Sequence, residues 1–114
     1  MTEYEPEAGD LVWTDFFDPQ LGHEQAGRRP ALILSPGDFW RVTRFAFIAP
    51  ITSRVRPFPS SVVLPVGLKI SGEILLSQVR SIDTVSRPIR YAGETLPADL
   101  LADARAKLAV LLGM

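Results

Sequence analysis

Residues 22–34, GHEQAGRRPALIL, place an acid, an amide and two adjacent arginines directly before a short apolar run. A continuous apolar run of this length, bounded by proline and glycine signals, is typical of a strand that is buried on both faces. Proline at position 30 restricts Arg29 to an extended backbone, which orients its side chain at the mouth of that strand. The stretch therefore predicts a rigid strand end that presents positive charge.

Further short apolar runs predict a mainly β domain, because they are rich in β-branched and aromatic residues. Ten prolines and eight glycines punctuate the chain, and no repeat or low-complexity tract is present. Pro65 marks an edge or a bulge at the end of the fourth run. The predicted strands cover residues 9–17, 30–35, 44–52, 60–66, 72–76 and 79–85.

The end of the chain has a different pattern, which predicts one amphipathic helix. Pro97 lies at its first turn, and Gly113 is its expected stop. One face of this helix carries Leu100, Ala104, Leu108 and Leu111. We expect a small barrel or sheet of strands that is closed by this C-terminal helix.

Composition limits the classes of protein to which the chain can belong. A length of 114 residues with 46% hydrophobic side chains suffices for one domain, residues 1–114, with one core. With no cysteine and a single histidine, neither a disulfide scaffold nor a zinc site is expected, and we predict no metal and no cofactor. The acidic N-terminus does not resemble a signal peptide, and no apolar run reaches the roughly 20 residues of a membrane span, so a cytoplasmic protein is expected.

Charge is segregated along the chain although 12 basic residues nearly balance 13 acidic ones. Residues 1–27 hold seven acids and no lysine or arginine, whereas residues 28–90 hold ten basic residues and three acids. Ten of the twelve basic residues are arginine, whose planar fork binds phosphates and carboxylates in a bidentate way. The middle of the chain therefore favours an anionic partner, although a solvated arginine-rich surface explains the composition equally well.

Two connections concentrate polar chemistry. Residues 18–29 form a long loop with glycines at positions 22 and 27, and residues 52–61 combine arginines and hydroxyls with Phe58, which stands between two prolines. Arginines beside an aromatic ring are components of a groove for single-stranded nucleic acid, where cations bind phosphates and the ring stacks on a base.

Several motifs occur together in one order: GDLVW followed by DP, then G-x-EQAGRRPALILS, APITS, PFP and LLSQVRSID. In this order and spacing they resemble the MazF/PemK family of toxin ribonucleases, from Gly9 to Gly113. The resemblance implies an SH3-like small barrel of antiparallel strands with a C-terminal helix, and a homodimer. It also implies metal-independent cleavage of single-stranded RNA at short sequences, and a cognate antitoxin whose extended acidic segment occupies the same basic groove.

The resemblance assigns catalysis to the pair Arg29 and Thr52. Glu24, in the first loop, is a further catalytic candidate, as a base or as a partner that orients Arg29 or Arg28. Cleavage without a metal uses the ribose 2′-hydroxyl as nucleophile, so the protein must move two protons and stabilise charge on the phosphorane. Arginine, with a pKa above roughly 12, suits charge stabilisation, which leaves proton transfer to Glu24, water or Thr52. Two alternatives stay open: Glu24 forms a salt bridge that holds its loop, and Thr52 is an ordinary strand-end hydroxyl.

Candidate RNA contacts surround these residues. Gln78 can read a base edge, or it is a buried amide that satisfies backbone groups. The sequence departs from the family pattern at His23 and Ser77, and it retains the catalytic pair. The candidates for RNA binding are Gln25, Arg28, Ser53, Arg54, Arg56 and Gln78.

Two other classes share this architecture. The fold also resembles the CcdB-type gyrase poisons, which bind a protein and cleave nothing, and a barrel of this kind can be a non-catalytic RNA or peptide binder. The set of Glu24, Arg29 and Thr52 favours the ribonuclease, because a pure binder does not need the three together.

Overall fold

The computed structural model describes residues 3–15 and 28–114 of the chain. Within these ranges the chain forms seven strands, two α-helices and a 3₁₀ turn at Leu76–Gln78. The elements in chain order are β1 (Asp10–Asp15), β2 (Arg28–Ile33), α1 (Gly37–Thr43), β3 (Phe45–Thr52), β4 (Ser61–Val63), β5 (Glu73–Leu75), β6 (Arg80–Asp83), β7 (Arg90–Thr95) and α2 (Ala98–Leu111).

The strands form one antiparallel sheet in the order β4-β5-β3-β2-β1-β7, and β6 pairs with β3. All six predicted strands are present, so the prediction of an antiparallel sheet with a C-terminal helix is confirmed. The sheet is open, because β4 and β7 end the order and do not pair with each other in the described ranges. The end of the first predicted strand, residues 16–17, lies outside those ranges.

Two elements were not predicted from the sequence. Helix α1 has only seven residues, and Arg44 ends it in the left-handed conformation with φ of 64°. Strand β7 has the sequence RYAGET, whose side chains are exposed or half-buried in alternation. A short helix and a polar edge strand both lack the apolar run that identified the other strands.

Strand β2 is buried on both faces, as its apolar sequence predicts. Ala31, Leu32 and Ile33 have no exposed surface, and their side chains alternate between two apolar clusters. Leu32 belongs to the larger cluster, which α2 covers, whereas Ala31 and Ile33 belong to a smaller cluster with Val12, Ala46, Ile48 and Ile82.

Helix α2 packs one face on the larger cluster. Ala104 is fully buried in this cluster, and Leu100 and Leu108 pack against the cluster, as predicted. Leu111, predicted on the same face, is 45% exposed because the helix runs past the edge of the core. Gly113 has a φ of 76°, and Met114 N donates to Ala109 O at 2.8 Å, so the predicted glycine stop forms a Schellman motif.

The acidic N-terminus neutralises part of the basic middle segment. Glu5 pairs with Arg41 at 3.1 Å, and Glu3 pairs with Arg44 at 3.2 Å. The Arg44 guanidinium also lies 4.2 Å from the ring centroid of Trp40, a buried residue. The cationic surface expected over residues 28–90 is therefore smaller than the sequence suggests, since these two arginines have acidic partners.

Gly72 lies against the end of β3. Its φ is +134°, and a Cβ added there would lie 2.2 Å from the carbonyl oxygen of Thr52. The absence of a side chain therefore allows β5 to begin directly beside Thr52, a candidate site residue.

We expect Gly72→Ala to lower the free energy of unfolding by about 3 kcal/mol or more, because a steric clash adds to backbone strain. The matched control is Gly67→Ala, where φ is +108° and no atom lies within 4 Å of the added Cβ. Strain alone should cost about 1–2 kcal/mol there. Denaturant unfolding measures both values, and equal losses would show that the contact with Thr52 is unimportant.

Candidate functional site

The predicted catalytic pair lies at one end of the sheet. Strands β2 and β3 are antiparallel, with Ala31 opposite Pro50, so Arg29 near the start of β2 and Thr52 at the end of β3 lie at the same end of this strand pair. On its other side, Arg29 pairs with Thr14 of β1. Two residues that are 23 positions apart in the sequence are thus brought to the same strand ends.

The environment of the pair suits contact with a ligand. Arg28 and Arg29 are exposed, and Thr52 is half-buried. The Thr52 hydroxyl oxygen accepts a hydrogen bond from the backbone N–H of Arg54 at 3.1 Å. Because a hydroxyl has one proton and two lone pairs, this bond leaves the Thr52 proton available to another acceptor. The strand end can therefore offer a fixed positive charge and a hydroxyl donor together.

Thr14 is a polar residue at this end that the sequence reasoning missed. Its side chain is 2% exposed, and its hydroxyl has no hydrogen-bond partner within residues 3–15 and 28–114. It follows Val12 on the strand face of the smaller cluster, directly beside Arg29. No sequence signal distinguishes this threonine from other residues with β propensity.

The connection between β3 and β4, residues 53–60, starts at this strand end. Ser53, Arg54 and Arg56 are all exposed, and the ring of Phe58 is 54% exposed. The connection therefore presents two cations, a hydroxyl and an aromatic ring to solvent. These are the components that the sequence predicts for a groove binding single-stranded nucleic acid.

A buried acid, which sequence reasoning did not single out, holds this connection. Glu73 of β5 is 0% exposed, and its carboxylate accepts hydrogen bonds from Arg56 N at 2.7 Å and Phe58 N at 3.1 Å. Hydrogen bonds from the Ser61 hydroxyl and from these two N–H groups lower the pKa of Glu73, against the opposing effect of burial. Glu73 is therefore ionised at neutral pH. In the sequence, the only sign of this role is that Glu73 is an acid in the otherwise apolar strand β5.

Gln78 is exposed, so the alternative of a buried amide that satisfies backbone groups is wrong. The register places Ile74 opposite Ile51 and Arg80 opposite Ile48, on the side of β3 away from β2. Gln78, between these two pairs in the sequence, is thus separated from Arg29 by β3. Ser77 beside it is also exposed.

Three of the sequence-based interpretations cannot be placed. Glu24, Gln25 and His23 lie outside the described residues. Within residues 3–15 and 28–114, no group of three or more His, Cys, Asp or Glu side chains could hold a metal ion. No helix in those ranges has the length and apolar character needed to cross a membrane.

Comparisons with known proteins identify the family. Residues 7–112 match the family described as PemK-like, MazF-like toxin of type II toxin-antitoxin system. The endoribonuclease toxin MazF of Escherichia coli (strain K12) is 39% identical over 113 residues, which cover 99% of both chains. Endoribonuclease PemK of Escherichia coli is 34% identical over 106 residues, which cover 89% of this chain and 78% of that protein.

Solved structures agree with these matches. MazF from Deinococcus radiodurans has a TM-score of 0.86 and 48% identity, with coverage of 98% of this chain and 100% of that chain. A MazE-MazF structure from the same organism has a TM-score of 0.84 and 44% identity, with coverage of 98% and 99%. Sequence and fold thus define a toxin of a type II toxin-antitoxin system. The chain belongs to the PemK/MazF family, and the prediction of a MazF/PemK-like endoribonuclease toxin is confirmed.

Proposed function

We propose that this protein is a single-domain, cytoplasmic toxin that cleaves single-stranded mRNA at short sequences and thereby inhibits translation and growth. The observation that carries the proposal is the placement of Arg29 and Thr52 at adjacent ends of β2 and β3. Relatives named endoribonuclease, at 34–39% identity, support the same reaction.

In the proposed reaction, the ribose 2′-oxygen attacks the adjacent phosphorus and the bond from phosphorus to the 5′-oxygen breaks. The products are a 2′,3′-cyclic phosphate and a 5′-hydroxyl. Arg29 stabilises the negative charge that develops on the non-bridging oxygens, and Thr52 donates its hydroxyl proton in a hydrogen bond to one of them. Glu24 or water takes the proton of the 2′-hydroxyl and returns a proton to the leaving oxygen.

The polar residues near this strand end are proposed to bind the RNA. Arg28, Arg54 and Arg56 contact phosphates, whereas Ser53, Gln25 and Gln78 contact sugar or base edges. The exposed Phe58 ring is available for stacking on a base. Arg28 and Gln78 lie on opposite sides of β3. An RNA strand that contacts both residues must therefore cross the end of β3.

We propose two partners besides RNA. One is a second copy of this chain in a homodimer. The other is a cognate antitoxin whose extended acidic segment binds the same arginines, which is supported by the MazE-MazF structures of Deinococcus radiodurans. Carboxylates of such a segment match arginine forks as phosphates do, so the antitoxin and RNA should compete.

Cleavage of a long RNA by the purified chain should proceed in excess EDTA, because the proposed reaction needs no metal. The ends should carry a 2′,3′-cyclic phosphate and a 5′-hydroxyl, as mapped by end-labelling and mass spectrometry. A strict magnesium requirement or 3′-hydroxyl ends would contradict the mechanism. No cleavage of any RNA, together with binding to gyrase, would support the CcdB-type alternative.

Replacing the catalytic pair tests the assignment directly. Arg29→Ala and Thr52→Ala should each lower the cleavage rate at least about a hundredfold, the usual scale for removing a preorganised charge-stabilising group. Both variants should remain folded and dimeric by circular dichroism and light scattering. Arg105→Ala, at an exposed arginine of α2, is the matched control and should cleave at the parent rate. Rates within a few fold of the parent for both test variants would refute the assignment.

Charge removal should show where the RNA lies. RNA affinity should fall with salt, with a slope of roughly −0.7 per neutralised phosphate for a single strand. The double variant Arg54→Ala/Arg56→Ala should flatten this slope and weaken an acidic peptide in parallel. Arg41→Ala/Arg44→Ala removes the same charge, but those arginines already pair with Glu5 and Glu3, so its slope should match the parent. Equal slopes in both double variants would place the groove elsewhere.

A further inference from the structure

We propose that Glu73 is a positioning residue for RNA binding: its buried carboxylate fixes the backbone of residues 56–61, so that Arg56 and Phe58 meet the RNA in one arrangement. The inference rests on the proposed ribonuclease function. Glu73 itself does not touch RNA, because its side chain has no exposed surface.

The sequence of the connection explains why one carboxylate controls it. Proline occupies positions 57 and 59 and has no backbone N–H, so residues 56–59 have only the donors of Arg56 and Phe58. Both donate to Glu73, one to each carboxylate oxygen, at 2.7 and 3.1 Å. Ser61 adds a hydroxyl donor to the same carboxylate. Every backbone N–H of residues 56–59 therefore depends on this one side chain.

The position of Glu73 in the sheet strengthens this control. Its backbone lies opposite Thr52 of β3 and opposite Val63 of β4, the two strands that the connection joins. The start, middle and end of residues 52–63 thus all contact one residue of β5. Strand β5 lies between β3 and β4 in the sheet, so the buried carboxylate is reached from the connection, whereas Arg54 and Arg56 are exposed to solvent.

Glutamine at position 73 would keep the shape and change the hydrogen bonding. An amide has one acceptor oxygen and an NH₂ donor, so one of the two backbone N–H groups would face another donor. A buried N–H without an acceptor destabilises the fixed arrangement, and the connection would sample others. RNA binding would then have to order the connection, and the entropy lost in this ordering would weaken the affinity for RNA. Arg29 and Thr52 lie on paired strands, so the chemical step should change little.

The chain contains a matched control for a purely stabilising role. Glu94 of β7 also accepts two consecutive backbone N–H groups, from Lys69 at 2.8 Å and Ile70 at 2.9 Å. Those residues belong to the connection between β4 and β5, which carries none of the candidate RNA contacts. Glu94→Gln therefore removes the same kind of interaction without affecting the proposed groove.

The test compares Glu73→Gln with Glu94→Gln by steady-state cleavage of an RNA oligonucleotide and by amide hydrogen exchange. We expect Glu73→Gln to raise KM about tenfold with kcat within threefold of the parent, and Arg56 and Phe58 amides to exchange at least tenfold faster. Glu94→Gln should leave KM within twofold. A KM for Glu73→Gln within twofold of the parent, or an equal rise in both variants, would overturn the inference.

A second variant keeps the test decisive if Glu73→Gln does not fold. Ser61→Ala removes one of the three donors and should raise KM about threefold with an unchanged kcat; an unchanged KM would overturn the inference. A parent chain that cleaves no RNA would refute the proposed function instead. In that case faster exchange of the Arg56 and Phe58 amides in Glu73→Gln or Ser61→Ala than in the parent would still show that the carboxylate holds them.

Discussion

The pairing of β2 with β3 is the contact on which the rest of the structure depends. The paired residues 31–33 of β2 are buried on both faces, and they supply side chains to both clusters of the core. The same register sets the start of β2 beside the end of β3, so the contact that forms the core also brings a cation and a hydroxyl together. A register shift of one residue would move the apolar side chains of β2, and Arg29 with them, to the opposite faces of the sheet. The stability of the fold and the proposed chemistry therefore depend on the same pairing.

Two connections in this fold are held in part by buried or half-buried acids. Glu73 and Glu94 each accept two backbone N–H groups from a connection that has few donors or acceptors within itself. A carboxylate can satisfy several donors at once, which makes it efficient where the backbone is irregular. The proposed RNA-binding connection therefore combines a buried negative group, which binds its backbone, with exposed positive side chains.

The sequence predicted those features that depend on local pattern. The apolar runs identified six strands, Pro97 and Gly113 delimited α2, and the proline after Arg29 indicated a strand end. It did not predict α1 or β7, whose residues have no apolar periodicity, nor the role of Glu73, which depends on donors that are 15 and 17 residues away. Pairing of the N-terminal acids with Arg41 and Arg44 is likewise a long-range contact that a count of charges cannot reveal.

Within the described residues, β4, β6 and β7 lie at the edges of the open sheet, and the sequences of β4 and β7 limit which strands can be added to them. Strand β4 has only three residues, and Pro59 and Pro65 stand near its two ends. Since proline cannot donate to a ladder and a short strand offers few groups, foreign strands find little to pair with there. At the edge formed by β7, the exposed Arg90 places a charge that disfavours pairing of identical chains. An unclosed sheet can thus resist edge-to-edge aggregation.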